Sequence, residues 1–432
     1  MPSESLTVLR GSVRIPTSKP HTQRALLLAA LAEGRSTIHN PNLCSEAALL
    51  QRAVTALGAR CMTDGGQLIV EGVGGRPNRP SSVLNLAGSG FALRHLLPIA
   101  ALAEAPCVLT GNRRLAGRPI QPLLTALAEL GCRVEPVDRE LTLPIITWDI
   151  GIAGGTVDVP ASETSQFVSS LMLAAPYAAA PVTIRVPGEM VSHHYVRITY
   201  AMMRQFGADV RADDDLHRID VKPSGYRAGT ARIGPDVNAF FYFAAAAVVT
   251  DADILVEDVQ LGEDSLLDSA LTVARRMGVR LVQEGSAVRI VSGPPPAERI
   301  LIDARGIPTL VPALAAVASS LPHGMVLRNA RHIQHHKTSR LQVVLEELAR
   351  MGRILRPILR DGQLDGFETY RTGAATVDEV DGRGDHRNFM ALSIAAMAVE
   401  REVHVHGAET LHTSFADFKD CFRSLTSTHT RS

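Results

Sequence analysis

Aromatic residues make up 4% of this 432-residue chain, and it contains one tryptophan. Net charge is missing as well: 44 lysines and arginines balance 44 aspartates and glutamates. No global basic field therefore draws the protein to nucleic acid or anionic lipid, and any anion binding must be local. The five cysteines, Cys44, Cys61, Cys107, Cys132 and Cys421, show neither C-x-x-C nor zinc-type spacing, which excludes a disulfide framework and suits a reduced cytosolic setting. The longest apolar runs, such as Ala239 to Val249, are well short of the ~20 residues that a membrane span needs, and the opening MPSESLTVLRGSVRIP lacks the apolar core of a signal peptide. His193-His194, His335-His336 and His404 with His406 lack the neighbouring ligands of a zinc or iron site. The expectation is a cytoplasmic protein with no metal, no cofactor, and no nucleic acid or membrane partner.

What is present is a repeat. Six nearly apolar segments, Ala25 to Leu31, Ala92 to Leu102, Phe167 to Ala175, Ala239 to Val249, Leu310 to Ala318 and Met390 to Ala398, each follow a polar opening. The openings are Ser18-Lys19 with Arg24, Gly88-Ser89-Gly90 with Arg94, Thr164-Ser165-Gln166, Asp236 with Asn238, Pro308-Thr309, and Asp385-His386-Arg387. They recur roughly every 70 to 77 residues. A helix with no polar face must be covered on all sides, and abundant alanine lets several such helices run close together.

A second, amphipathic segment follows in each copy. In five copies it ends on an apolar residue and a glycine: Leu57-Gly58, Leu130-Gly131, Phe206-Gly207, Met277-Gly278 and Met351-Gly352. Glycine suits the position just past a helix end because it accepts positive φ without a Cβ penalty. Short alternating runs come next, such as Arg133 to Pro136 and Gln67 to Val70, and read as strands. A chain of this length exceeds one hydrophobic core, and six units divide most simply into two lobes of three. Glycines and prolines place the crossings near Pro16 to Pro20 and Gly225 to Pro235. The expected lobes are 19–232 for units one to three, and 1–18 with 233–432 for units four to six.

Helix starts carry unpaired N–H groups and the positive end of the macrodipole, so several starts converging on one place favour a phosphorylated or carboxylated ligand. The motifs at these starts are recognisable. The run from Gly11 through IPTSKPHTQRALLLAALAEG to Gly34 resembles the N-terminal signature of the enolpyruvyl transferases, most closely the EPSP synthase (3-phosphoshikimate 1-carboxyvinyltransferase) family. The resemblance continues through Gly90 to Arg94, Leu109 to Pro119, Ser165-Gln166-Phe167, Ser192 with Tyr195, Thr338 to Leu341, and Asp385-His386-Arg387. It implies a two-lobed inside-out α/β barrel of six βαβαββ units, with helix N-termini facing a cleft that closes on substrate.

The resemblance also implies residue roles. Lys19, Arg118, Arg340 and Arg387 match groups that hold the phosphate and carboxylate of phosphoenolpyruvate, a task that suits fork-shaped guanidinium groups. Arg24, Gln166 and Tyr195 match contacts to a shikimate ring, and Thr164, Ser165 and Ser192 match a hydroxyl cluster for its 3-phosphate. Gly90 matches a glycine that leaves room for phosphoenolpyruvate, and Arg94 matches a basic residue on the same helix. The implied ligands are a phosphorylated shikimate-like alcohol and phosphoenolpyruvate, bound by a monomer.

The chain departs from the family in its proton-transfer groups. Where relatives carry Ile-Pro-Asp it has Ile307-Pro308-Thr309, and the Lys-Glu-Thr-Asp-Arg pattern appears as His336-Lys337-Thr338-Ser339-Arg340. Thr413, after His412, stands where the family offers a lysine; Pro20 and Phe91 replace a serine and a threonine. Lys19, His336, Lys337, Asp385 and His386 are the remaining candidates for moving protons, a function worth roughly 10² to 10⁴ in rate. Three readings stay open: an enolpyruvyl transferase with substituted acid and base groups, a lyase that eliminates phosphate or water from a shikimate-like ring, and a non-catalytic anion binder. The relative that acts on a UDP-sugar is disfavoured, because the segment Gly111 to Pro119 has no cysteine.

Overall fold

The computed structural model describes residues 7–138, 142–148, 151–260, 265–335 and 339–426. The chain divides into two compact units. One holds Ser18–Ile233; the other joins the chain up to Thr17 with the chain from Gly234 onward. The breaks lie one residue from the expected 18/19 and 232/233.

In the Ser18–Ile233 unit the near-apolar segments form helices Lys19–Leu31, Gly90–Ala100 and Gln166–Ala174. Amphipathic helices Ser45–Ala56, Gln121–Glu129 and His193–Gln205 alternate with them. Each helix pair goes with a four-stranded sheet of one pattern, a parallel pair followed by two antiparallel steps. In the second repeat Leu84–Asn85 runs parallel to Cys107–Thr110, which pairs antiparallel with Ile145–Thr147, and that strand with Val134–Pro136. A parallel pair needs a crossover between its strands, and the Gly90–Ala100 helix supplies it.

The other unit repeats the plan with central helices Val237–Val249, Val311–Ala318 and His386–Ala396 and amphipathic helices Ser265–Arg276, Arg340–Arg350 and Phe418–Leu425. In Val237–Val249 every residue except Val248 is buried, as a helix without a polar face requires. The sixth repeat is shorter than the others. Its sheet is the parallel pair Glu379–Asp381 and His404–His406, and Phe418–Leu425 is the last described element. The scarce aromatics gather here, with Phe243 stacked on Phe422 at 4.8 Å and Tyr242 edge-on to Phe418 at 6.0 Å.

Two strands are exchanged along the chain. Val8–Arg14 pairs in parallel with Asp251–Glu257, and Thr230–Arg232 returns to pair with Arg35–His39. The first and fourth sheets are therefore each completed by a strand distant in sequence. Gly58, Gly131, Gly207, Gly278 and Gly352 all adopt positive φ, between +76° and +105°, just past the amphipathic helices. Among the described residues no helix is long and apolar enough to cross a membrane.

Candidate active site

In the Ser18–Ile233 unit the starts of the three central helices carry the candidate residues. Lys19 opens the first helix, with Pro20 in its first turn. Its Nζ lies 2.8 Å from Glu46 Oε2, and both side chains are largely buried. Arg24, one turn further, is 1% exposed. Its Nε donates to Thr199 Oγ1 at 2.7 Å and its Nη1 to the Pro20 carbonyl at 3.1 Å. The Phe91 and Tyr195 rings lie 5.4 and 5.6 Å from its guanidinium carbon, within cation–π range. Thr199 in turn donates to the Tyr195 carbonyl at 2.8 Å, so Arg24 and Tyr195 are fixed by one short chain of bonds.

Arg94 lies on the second helix, whose start is capped by Ser89 Oγ accepting from Ala92 N at 3.2 Å. The side chain is buried. Its Nη2 and Nε donate to the Pro119 carbonyl at 2.8 and 3.2 Å, and its Nη1 to Gln166 Oε1 at 2.9 Å. Gln166 is the first residue of the third helix, so this arginine links two helix starts. Gly90 faces Arg118: a Cβ built on it would stand 2.2 Å from Arg118 Nη1. The space expected to admit phosphoenolpyruvate beside this glycine is filled by the Arg118 guanidinium.

Two of the three expected hydroxyls, those of Thr164 and Ser165, bond to the backbone, and Ser192 contributes its carbonyl. Ser165 Oγ donates to the Ser192 carbonyl at 3.1 Å, and Thr164 Oγ1 accepts from Gln166 N at 3.3 Å. Ser192 precedes helix His193–Gln205 with φ +56°.

Among the described residues neither Arg24 nor Arg94 forms an ion pair with a carboxylate. Burial lowers the Arg24 pKa to about 10, and burial together with the Arg118 charge lowers that of Arg94 to about 9, partly offset by Glu163. A buried cation without a counterion is costly, and an incoming anion relieves that cost.

His95 was not foreseen from the sequence. Its ring is wholly buried and stacks on Phe91 at 3.8 Å, and Nδ1 lies 2.9 Å from the Phe91 carbonyl. Burial, and then the Arg24 charge, push its pKa well below the ordinary histidine value, so the ring is neutral. The carbonyl only accepts, so Nδ1 carries the hydrogen and Nε2 the lone pair. The signal in the sequence was the i, i+4 spacing of Phe91 and His95 on an otherwise apolar helix. Glu46 was also missed; it lies 27 positions from Lys19 on a different helix.

In the other unit Asp385 is the organising group. It is fully buried and caps helix His386–Ala396 by accepting from Arg387 N at 2.8 Å. Its second oxygen accepts from Arg340 Nε at 2.7 Å. Burial alone would raise its pKa, but the Arg340 charge and hydrogen bond, the Arg387 N–H and the Arg387 charge together hold it at about 2. The Tyr242 hydroxyl donates to the Arg387 carbonyl at 3.1 Å, and Arg387 Nη1 lies 3.5 Å from the Thr309 carbonyl. Arg387 thus meets the middle of helix Val237–Val249 and the residue two before helix Val311–Ala318. Thr309 Oγ1 is buried without a hydrogen-bond partner among the described residues.

Thr413 ends the short turn Ala408–Thr413. Its hydroxyl donates to the Thr410 carbonyl at 2.9 Å and lies 3.0 Å from His386 Nδ1. A hydroxyl has one hydrogen, so His386 Nδ1 is the donor in that pair. The expected site residues His336 and Lys337 lie outside the described residues. No group of three histidine, cysteine, aspartate or glutamate side chains suited to a metal ion occurs among the described residues.

A family model for EPSP synthase (3-phosphoshikimate 1-carboxyvinyltransferase) matches residues 4–422. A 3-phosphoshikimate 1-carboxyvinyltransferase of Syntrophobacter fumaroxidans is 33% identical over 428 residues, covering 98% of this chain and 99% of that protein. One from Methanothrix thermoacetophila is 32% identical over 428 residues, covering 98% and 97%. Among solved structures, an EPSP synthase from Acinetobacter baumannii superposes with TM-score 0.79 at 22% identity, covering 98% of this chain and 97% of that one. The enolpyruvyl transferase NikO from Streptomyces tendae gives TM-score 0.74 at 18% identity, covering 98% and 96%. The fold is therefore the two-lobed α/β fold of the enolpyruvyl transferases. The chain belongs to the EPSP synthase (3-phosphoshikimate 1-carboxyvinyltransferase) family.

Proposed function

We propose that the protein transfers the enolpyruvyl group of phosphoenolpyruvate to a hydroxyl of 3-phosphoshikimate or a related phosphorylated alcohol, with acid and base groups different from those of its relatives. The observation that carries this reading is the pair of buried guanidinium groups, Arg24 and Arg94, neither of which makes an ion pair with a carboxylate among the described residues, Glu163 acting on Arg94 only from beyond that distance. Such a site is complete only with an anionic ligand. The curated relatives' activity on 3-phosphoshikimate supports the choice of acceptor.

In this reading the Ser18–Ile233 unit binds the phosphorylated alcohol through Arg24, Thr164, Ser165, Gln166, Ser192 and Tyr195, with Arg94 holding Gln166 in place. Lys19 and Arg118 are the candidates for phosphoenolpyruvate in that unit, and Arg340 and Arg387 are the anion-binding candidates of the other unit. The acceptor hydroxyl attacks the central carbon of phosphoenolpyruvate and loses its proton, while the methylene carbon gains one. The carbon–oxygen bond to phosphate then breaks, the methyl group returns a proton, and the double bond re-forms. Preformed cationic groups stabilise the charge that grows on the departing phosphate.

His386 is the proposed base, because it opens the helix capped by Asp385 and the Thr413 hydroxyl, 3.0 Å from its Nδ1, orients the ring. Asp385, held at about pKa 2, stays ionised and orients rather than transfers. Changing His386 to Gln is expected to lower kcat on the order of a hundredfold or more, with a smaller change in KM. Unchanged turnover would remove His386 from this role.

A second reading, elimination of phosphate or water from a shikimate-like ring without phosphoenolpyruvate, is favoured by one observation. Thr309, where relatives have a carboxylate, presents a neutral hydroxyl with no hydrogen-bond partner among the described residues. Incubation with each substrate alone and with both together separates the two. Transfer requires both substrates, whereas elimination proceeds on the alcohol alone.

A further inference from the structure

Arg340 and Arg387 sit on different elements, and a phosphate or carboxylate gripped by both needs their spacing held. The buried Asp385 links them at one point. Two residues earlier, Arg383 makes a second link, and no role for it is apparent from the sequence. Its Nη1 donates to Glu346 Oε2 and its Nη2 to Glu347 Oε1, each at 2.7 Å. Both glutamates lie on the helix that Arg340 opens, nearly two turns along it. Glu347 is 1% exposed and also binds Arg350, so its two oxygens are divided between two guanidinium groups.

The backbone around Arg383 is built for this reach. Arg383 has φ +49°, a left-handed conformation that is costly for a side chain with a Cβ. Asp381 Oδ1 accepts from Arg383 N at 2.7 Å, and Asp385 N donates to the Gly382 carbonyl at 3.1 Å, closing a tight turn. Gly382 packs so closely on Phe389 that an added Cβ would stand 2.9 Å from Phe389 N. The turn is thus pressed against the helix that carries Arg387 while its arginine reaches back to the helix that carries Arg340.

We propose that Arg383, through Glu346 and Glu347, is a positioning residue that sets the spacing of Arg340 and Arg387 for the anion they bind. The proposal rests on the anion role assigned above to those two arginines. An error of about 1 Å in placement can cost up to on the order of a hundredfold in rate, so a clip outside the reacting groups can still govern turnover.

The test uses the full chain with Arg383→Gly, Glu347→Gln, the double variant and Arg387→Ala. Each is measured by calorimetric binding of phosphoenolpyruvate and by its unfolding midpoint. Arg383→Gly removes the clip while relieving the left-handed backbone, so it is expected to fold; Arg383→Lys keeps the charge without the two-pronged grip and serves if it does not. The expected result is phosphoenolpyruvate affinity on the order of tenfold weaker in each single variant, with the double variant no weaker than the weaker single, because both changes break one connection. Arg383→Lys is expected to fall between parent and Arg383→Gly.

A lowered midpoint with unchanged affinity would make the clip structural only and overturn the proposal, as would a double variant that loses the product of the two single effects. If Arg387→Ala weakens binding while Arg383→Gly does not, the positioning role alone fails. If Arg387→Ala leaves binding unchanged, the anion assignment beneath it fails instead.

Discussion

Arg94 is more sensitive to pH than Arg24, because burial and the neighbouring Arg118 hold its pKa to about 9 against about 10. Below that value it is charged and ready for an anion; as pH rises through it the charge, and with it the grip, is lost. The affinity for inorganic phosphate is therefore expected to fall between pH 8 and pH 10, and Arg94→Gln should flatten that fall; a parent and variant with the same profile would contradict the assignment. The sign for folding is opposite. An unfolded arginine keeps its proton well above pH 9, so this group's contribution to stability rises with pH above about 9. Gly90→Ala offers a second test, since the new methyl would stand 2.2 Å from Arg118 Nη1, at the far end of a flexible side chain. Stability is expected to change by less than about 1 kcal/mol, and phosphoenolpyruvate affinity to drop on the order of tenfold, about 1.4 kcal/mol. Arginines of this kind were legible in the sequence because each sits in a motif at a helix start. Glu46 and His95 were not, because what defines them is a partner on another helix or a stack against Phe91, and neither is written in local spacing.

Helices and strands were the easier part to read. The near-apolar segments announced the central helices because no polar stripe interrupts them, and the glycines after the amphipathic helices marked where left-handed backbone is needed. The first start was marked as well: the opening Ser18-Lys19 precedes the apolar segment from Ala25, and the helix begins at Lys19, with Pro20 tolerated in its first turn. The truncated sheet of the sixth repeat was unmarked, as only two of its strands follow the pattern of the other sheets. At this scale the cap on helix His386–Ala396 is the decisive feature. Asp385→Asn removes the charge from a buried pair with Arg340, and the expected loss is ~3–5 kcal/mol of stability, read from urea unfolding. The linked pH effect has a defined window. Asp385 is depressed from 3.8 to about 2, so its contribution is complete above pH 4 and disappears as pH falls toward 2. Acid unfolding of the parent and of Asp385→Asn should therefore converge at low pH; a constant gap down to pH 2 would contradict the account.

For the whole molecule, the repeat and the glycine-proline crossings pointed to two units, and two exchanged strands complete the first and fourth sheets across long sequence separations. Pairings such as Val8 with Asp251 are invisible to periodicity, which reports faces of an element and never its distant neighbour. Family membership accounts for the fold that the two units share. The most direct test of the central claim is product analysis after incubating the purified protein with phosphoenolpyruvate and 3-phosphoshikimate, following free phosphate and product mass together. The account predicts one phosphate released for each acceptor that gains an enolpyruvyl group, and no release when either substrate is left out. Phosphate release from the alcohol in the absence of phosphoenolpyruvate would contradict it.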